Sequence, residues 1–258
     1  MWAAPPAIGL GQFFPDAGPA QTPADVAVVM PTLMRPSIVR AVRCVFEQQV
    51  AGRRIQLVIG SDLNGQNTEA LYAALQERPP HVSAVVLTLP YSTSVRHGGV
   101  HLAIDGGALR AILSFVGNAR HVAYVDDDNL WTPDHLASLF AAIEGKDWAF
   151  SQRLMVDEAT GAELAVDRWD SVGPYRGRFA AEGGLVDPNC LLVRTLAATD
   201  AFAYWADPGL GRPSQRADRR FFRALKDRPY GVVPRPTVRY AVRPTNVLLT
   251  FLRDGVEF

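Results

Sequence analysis

The chain has 258 residues, 48% hydrophobic and 20% charged, enough to bury one large core or two small ones. Twenty-six basic residues balance twenty-six acidic ones, which argues against a dedicated nucleic-acid or anionic-membrane binder, since both need a basic surplus. There is no apolar run of about eighteen residues to span a membrane. The two distant cysteines, Cys44 and Cys190, make neither a disulfide framework nor a zinc site.

In chain order, residues 1–24 read as an irregular arm rich in Pro, Ala and Gly, without a signal-peptide pattern. "VAVVM" (26–30) is a β-branched run suited to a strand buried on both faces. "PSIVRAVRCVFEQQV" (36–50) follows with apolar residues at helical spacing and Pro36 in the first turn. "IQLVIG" (55–60) and "VSAVVLTL" (82–89) are further strands around a helix at 67–78, which Asn67 or Thr68 can cap. A helix at 106–116 leads to the strand "HVAYV" (121–125). Beyond it come a helix at 133–145, a strand at 147–152 and a hairpin about Thr160-Gly161 within 154–166. "GGLVDPNCLLVR" (183–194) is a glycine hinge and strand, 217–227 is a helix, and 230–242 is extended. The run "RADRRFFRALKDR" (216–228) reads as a solvated helix face.

This alternation predicts an α/β fold: a mostly parallel, twisted sheet flanked by helices, with a mixed α+β second half. Ligands of such sheets sit beyond the carboxyl ends of the strands. Three clusters occupy that edge: "PTLMR" (31–35), "SDLNG" (61–65) and "DDDN" (126–129). Adjacent carboxylates repel, and burying them unpaired is costly. In an extended segment Asp126 and Asp128 would point the same way, with Asp127 turned aside or towards a nucleotide sugar. A hard divalent cation between Asp126 and Asp128 would offset the repulsion. A solvated turn, with Asp126 or Asp128 capping a helix, fits the triplet taken alone.

Taken together, "VAVVMPTLMRPSIVRAVRCVFEQQ", "IQLVIGSDLNGQNTEAL", the helix–strand–acidic stretch 106–139, "GGLVDPNCLLVR" and "ADRRFFRAL" resemble, in order, the segments of the GT-A family-2 glycosyltransferases. The resemblance covers roughly residues 25–227. It implies a nucleotide-sugar-binding half at 25–150, an acceptor-side half at 151–243 and a tail at 244–258. The implied donor is a nucleotide-diphosphate sugar and the acceptor a hydroxyl, with Mn²⁺ or Mg²⁺ as the metal.

Residue by residue, the resemblance puts Thr32 at the donor base or ribose, Arg35 near the phosphates, and Asp62 on the base. Arg110 matches an arginine able to neutralise a diphosphate. Asp126 and Asp128 match the metal ligands, and Asp126 and Asp127 the donor-binding carboxylates. Asp218 matches the general base, with Asp187 as the rival. Where relatives read Glu-Asp, this chain reads Ala217-Asp218, and "VRYAVRP" (238–244) lacks the late histidine that many relatives give to the metal. A single base implies inversion at the anomeric carbon. Trp131 and Trp169 are candidates to stack on a sugar, and the five histidines show no ligand spacing. A cytoplasmic location is expected, and the apolar tail at 246–258 can pack in cis or against a second copy. The alternatives are a sugar-nucleotide- or glycan-binding protein with little or no turnover, and a nucleotidyltransferase. The loop "PTLMRP" lacks the glycines expected of the latter.

Overall fold

A computed structural model describes residues 11–19, 21–62, 67–104, 106–207, 217–244 and 246–253. The chain runs β1 (Gly11–Phe14), β2 (Ala24–Thr32), α1 (Ile38–Phe46), β3 (Ile55–Ser61), α2 (Thr68–Gln76), β4 (Val82–Thr88), α3 (Gly107–Val116) and β5 (Ala119–Tyr124). It continues through β6 (Leu130–Trp131), α4 (His135–Ala142), β7 (Trp148–Asp157), β8 (Glu163–Val166), β9 (Gly173–Pro174), β10 (Gly184–Leu185), β11 (Leu191–Arg194) and α5 (Thr195–Ala198). The last described elements are α6 (Ala217–Leu225), β12 (Tyr230–Val242) and α7 (Val247–Arg253).

The main sheet has the order β1-β4-β3-β2-β5-β11-β7-β12-β6, with β8 pairing β7 as the expected hairpin. β4, β3, β2 and β5 are parallel neighbours, which is the predicted parallel sheet. The residues of the two central strands, β2 and β3, are almost wholly buried and mostly apolar, as strands covered on both faces require. The packing of α3 over this block is close. A Cβ on Gly60 of β3 would lie 2.9 Å from both Leu109 Cγ and Leu113 Cδ1.

Chain direction decides what reaches the site. After β4 the chain returns through α3 to place β5 on the other side of β2. The strand order therefore reverses between β2 and β5, which opens a crevice at their carboxyl ends. β11 runs antiparallel to β5, so the residues just before β11 lie at that same edge. β7 is antiparallel to β11, and β12 is parallel to β7, so β12 also ends there. The two halves thus share one edge of one sheet.

Two expectations change. Residues 11–14, read as irregular, form β1 and pair antiparallel with β4. Asp16 just beyond is fixed by Arg54 Nε at 2.7 Å. Trp131 is not available to a sugar: it is buried, stacks on His135 at 4.4 Å and donates Nε1–H to the Asn189 carbonyl at 2.9 Å. The tail at 246–253 packs in cis, with Leu248 against Met155 and Val242. The arginines of α6 are paired with Asp207 and Glu182, as a solvated helix face allows. No described helix is long and apolar enough to cross a membrane, and both cysteines are buried and free.

His135 is wholly buried, with Nδ1 2.6 Å from Thr237 Oγ1. Burial pushes its pKa down from 6.5 to about 3. The folded value lies below the unfolded one. Stability from the neutral ring is therefore complete above about pH 6.5 and is lost as the pH falls towards 3. Burial lowers His121 in the same direction. The melting temperature should drop as the buffer goes from pH 7 to pH 5, and His135→Gln should flatten that drop. Parallel melting curves for the two proteins across this range would remove His135 as the titrating group.

Candidate active site

The crevice at the strand ends is a cleft of about 490 Å³. Thr32 enters it from the last position of β2, Arg35 from the loop that follows, Asp62 from just beyond β3, and Arg110 from the start of α3. Asp126, Asp127 and Asp128 enter from the turn after β5, Asp187 from the approach to β11, and Asp218 from the first turn of α6. The nine residues matched to donor, metal or base roles all line this one space, whereas Trp169, offered to a sugar ring, is not among its lining residues and lies under the Arg178 guanidinium at 4.6 Å.

The acidic triplet is not extended. The Asn129 N–H donates to the Asp126 carbonyl at 3.2 Å, closing a turn. Side-chain alternation therefore does not apply. Asp127, expected to point aside or at a sugar, is buried and accepts from Thr32 Oγ1 at 2.6 Å and Arg35 Nη1 at 3.0 Å. Asp128 accepts from Arg35 Nη1 at 2.7 Å and pairs with Arg243. Asp126 pairs with Arg110 and accepts from Asn189 Nδ2 at 2.8 Å. Three guanidinium groups from three elements therefore meet three carboxylates. Burial, and then the nearby Arg35 charge, hold the Arg243 pKa below its ordinary value.

Several side chains are engaged differently from expectation. The Thr32 hydroxyl is spent inside the protein: it donates to Asp127 and accepts from the Met34 N–H at 2.7 Å. Met34 sits at φ 56°, a costly conformation for a non-glycine residue. Thr32 and the Asn67 amide, which donates to the Met34 carbonyl at 2.6 Å, hold it there. The Asp62 carboxylate accepts from Ser92 Oγ, Thr93 N–H and Thr93 Oγ1 at 2.9, 2.8 and 2.6 Å. It anchors the loop after β4. A carboxylate offers about four lone-pair sites, so these bonds leave about one for a ligand.

Arg110 is nearly buried and lies over the Trp205 ring at 5.4 Å. Its helix begins on Gly107, where a Cβ would stand 2.3 Å from the Trp205 carbonyl oxygen. Only glycine admits that approach, and the approach puts Arg110 over Asp126.

The residues that sequence reasoning missed are mostly second partners. Asn189 is fully buried and links the halves: Oδ1 accepts the Asp126 N–H at 2.7 Å, and Nδ2 also donates to Asp187 Oδ1 at 2.7 Å. Asn129 Oδ1 accepts the Ala241 N–H at 2.9 Å, tying β12 to the acidic turn. Arg153 is buried, with Nε, Nη2 and Nη1 on Asp167, Asp170 and Asp187 at 2.8, 2.6 and 2.5 Å, and it lies 4.3 Å from the Tyr240 ring centroid. Burial opposes its charge, but the carboxylates outweigh it and hold its pKa well above the usual value. Asp187 behaves oppositely: burial raises its pKa against the pull of Arg153, and Asp126 adds to the rise.

These residues do not fit a divalent cation as arranged. Asp126 Oδ1 and Oδ2, Asp127 Oδ1 and Oδ2, and Asp128 Oδ2 each face a protein donor or guanidinium. Among the described residues no group of three histidines, cysteines or carboxylates is placed to hold a metal.

No protein-family model matches this sequence, and no curated protein matches it. Solved structures do match in shape. S. aureus TarS aligns at TM-score 0.60 and 15% identity, over 84% of this chain and 37% of that one. The fold is shared. TarS 1-349 in complex with UDP gives 0.62 at 16% identity, over 85% of this chain and 61% of that one. The complex with UDP-GlcNAc gives 0.61 at 14%, over 86% and 60%. The chain therefore spans less than two thirds of each of these proteins.

Arg153→Met would leave Asp167, Asp170 and Asp187 facing one another without a cation. Breaking a buried pair in this way costs about 3–5 kcal/mol. Urea unfolding should show a loss of that order, and adding Asp187→Asn should return part of it. Strictly additive effects of the two changes would contradict the coupling.

Proposed function

We propose that this protein is a glycosyltransferase that moves a sugar from a nucleotide-diphosphate donor to a hydroxyl acceptor with inversion. The observation that carries the reading is the convergence described above. Nine residues from separate segments, picked for donor and acceptor chemistry, share one cleft at the strand-order reversal of a fold that TarS also has. TarS has been captured with UDP and UDP-GlcNAc, so a uridine nucleotide is the first donor to test.

In this reading the donor base lies towards Asp62 and the loop it anchors, and the diphosphate lies over the acidic turn. Charge building on the departing diphosphate is met by Arg35, Arg110 and Arg243, already oriented by the aspartates. Asp218 takes the proton of the acceptor hydroxyl as that oxygen attacks the anomeric carbon from the opposite face. Asp187 is the weaker choice for this step. Its oxygens already accept from Arg153 and from the Asn189 N–H and amide, so it serves as a fixed support beneath the site.

A thermal-shift screen of UDP, GDP, ADP, CDP and dTDP should identify one base that raises the melting temperature. Asp218→Asn should lower turnover of the matching nucleotide sugar by about 10²–10⁴-fold while leaving donor affinity nearly intact. Lost affinity with unaltered turnover would contradict its assignment. Binding without transfer or donor hydrolysis would favour the binding-module alternative, and pyrophosphate release a nucleotidyltransferase.

A further inference from the structure

The acidic turn would need a divalent cation if its carboxylates were bare, and they are not. Arg35 and Arg243 approach Asp128 Oδ2 from two different segments, the loop after β2 and the end of β12. Two guanidinium groups on one carboxylate oxygen stand close to each other. About a third of each side chain remains exposed, and both line the cleft. Arg35 makes both of its ion pairs through Nη1, so its Nε and Nη2 hydrogens have no partner among the described residues. Arg243 uses Nε on Glu158 and Nη2 on Asp128, so its Nη1 hydrogens have none either. Each aspartate thus fixes one edge of a guanidinium and leaves another edge for a ligand. Planar guanidinium edges with spare N–H donors match phosphate oxygens in geometry as well as charge.

We propose that Arg35 and Arg243 hold the donor diphosphate directly, in the place where a divalent cation would otherwise bridge it to Asp128, so that donor binding is metal-independent. This rests on the nucleotide-sugar reading above. The acidic turn then serves to orient arginines. Admitting a cation at Asp128 would require displacing two guanidinium charges from their pairs or setting like charges side by side, and both cost free energy.

The test is calorimetric titration of the full chain with nucleoside diphosphates, in EDTA and again with Mn²⁺. The diphosphate that binds should do so with a Kd that changes less than about threefold between the two conditions. Arg35→Met and Arg243→Met should each weaken it by about 10- to 100-fold, the range of a charge-assisted contact. The corresponding free nucleoside should bind each variant as it binds the parent. Binding that vanishes in EDTA and returns with Mn²⁺ would overturn the proposal and leave the donor reading standing. Equal loss of nucleoside and diphosphate in the variants would assign the arginines to the scaffold and also overturn it. If none of UDP, GDP, ADP, CDP and dTDP binds in either condition, the donor reading fails and this proposal with it.

Discussion

Three aspartates in succession can end a buried strand only because three arginines reach them. The turn after β5 would otherwise concentrate like charge beside a core strand, at a cost that few native contacts offset. Arg110, Arg35 and Arg243 come from a helix, a loop and the end of the longest strand. Each depends on a different part of the fold: Arg110 on the close seating of α3 at Gly107, Arg35 on the strained loop at Met34, and Arg243 on the docking of β12 through Asn129. The charge pairing therefore closes the site. It draws together elements that share no local sequence signal.

A second ionic centre lies beneath the first. Arg153 gathers Asp167, Asp170 and Asp187 in the second half of the chain, and Asn189 joins Asp187 to Asp126. Through this one amide the two centres feel each other. The Asp126 charge helps to raise the Asp187 pKa, and Asn189 fixes both carboxylates in place. Buried networks of this kind contribute less to net stability than to geometry, since their desolvation cost is high. Here the geometry they secure is the floor of the cleft.

The strands and helices of the first half were legible because each carries its own period and its own stop signal. β12 was legible as extended chain, since its valines favour a strand and Pro234 and Pro236 bar a helix through it. The site residues legible from position alone were those at or just past the carboxyl end of a strand, Thr32, Asp62 and the triplet, whereas Arg110, Asp187 and Asp218 came from the family resemblance. Their neighbourhood in space follows from the topology alone. What could not be read was the identity of their partners. Nothing near Arg243 marks it as the cation for Asp128, 115 positions away. The conformation of the triplet was misjudged because alternation was assumed in a segment that Asn129 closes into a turn. β1 was missed because "GQFF" carries too little apolar pattern to outweigh the Pro- and Gly-rich residues around it.

Strand direction explains why the second half could not be aligned with the first by pattern. β11 enters the sheet reversed, so the functional residues of that segment precede the strand, whereas in β2, β3 and β5 they end or follow it. A search for polar residues at the carboxyl end of each strand finds Arg194 at the end of β11, and Arg194 Nε donates to the Lys146 carbonyl at 2.6 Å, outside the cleft. Asp187 and Asn189 lie on the other side of the same strand. One antiparallel insertion therefore does two things. It lets residues from the acceptor-side half reach the carboxyl edge of the parallel block, and it restores the direction of β7 and β12 so that Arg243 ends there too. Had β11 been parallel to β5, with β7 still antiparallel to β11 and β12 still parallel to β7, Arg243 would emerge at the opposite edge. Asp128 would then keep only Arg35.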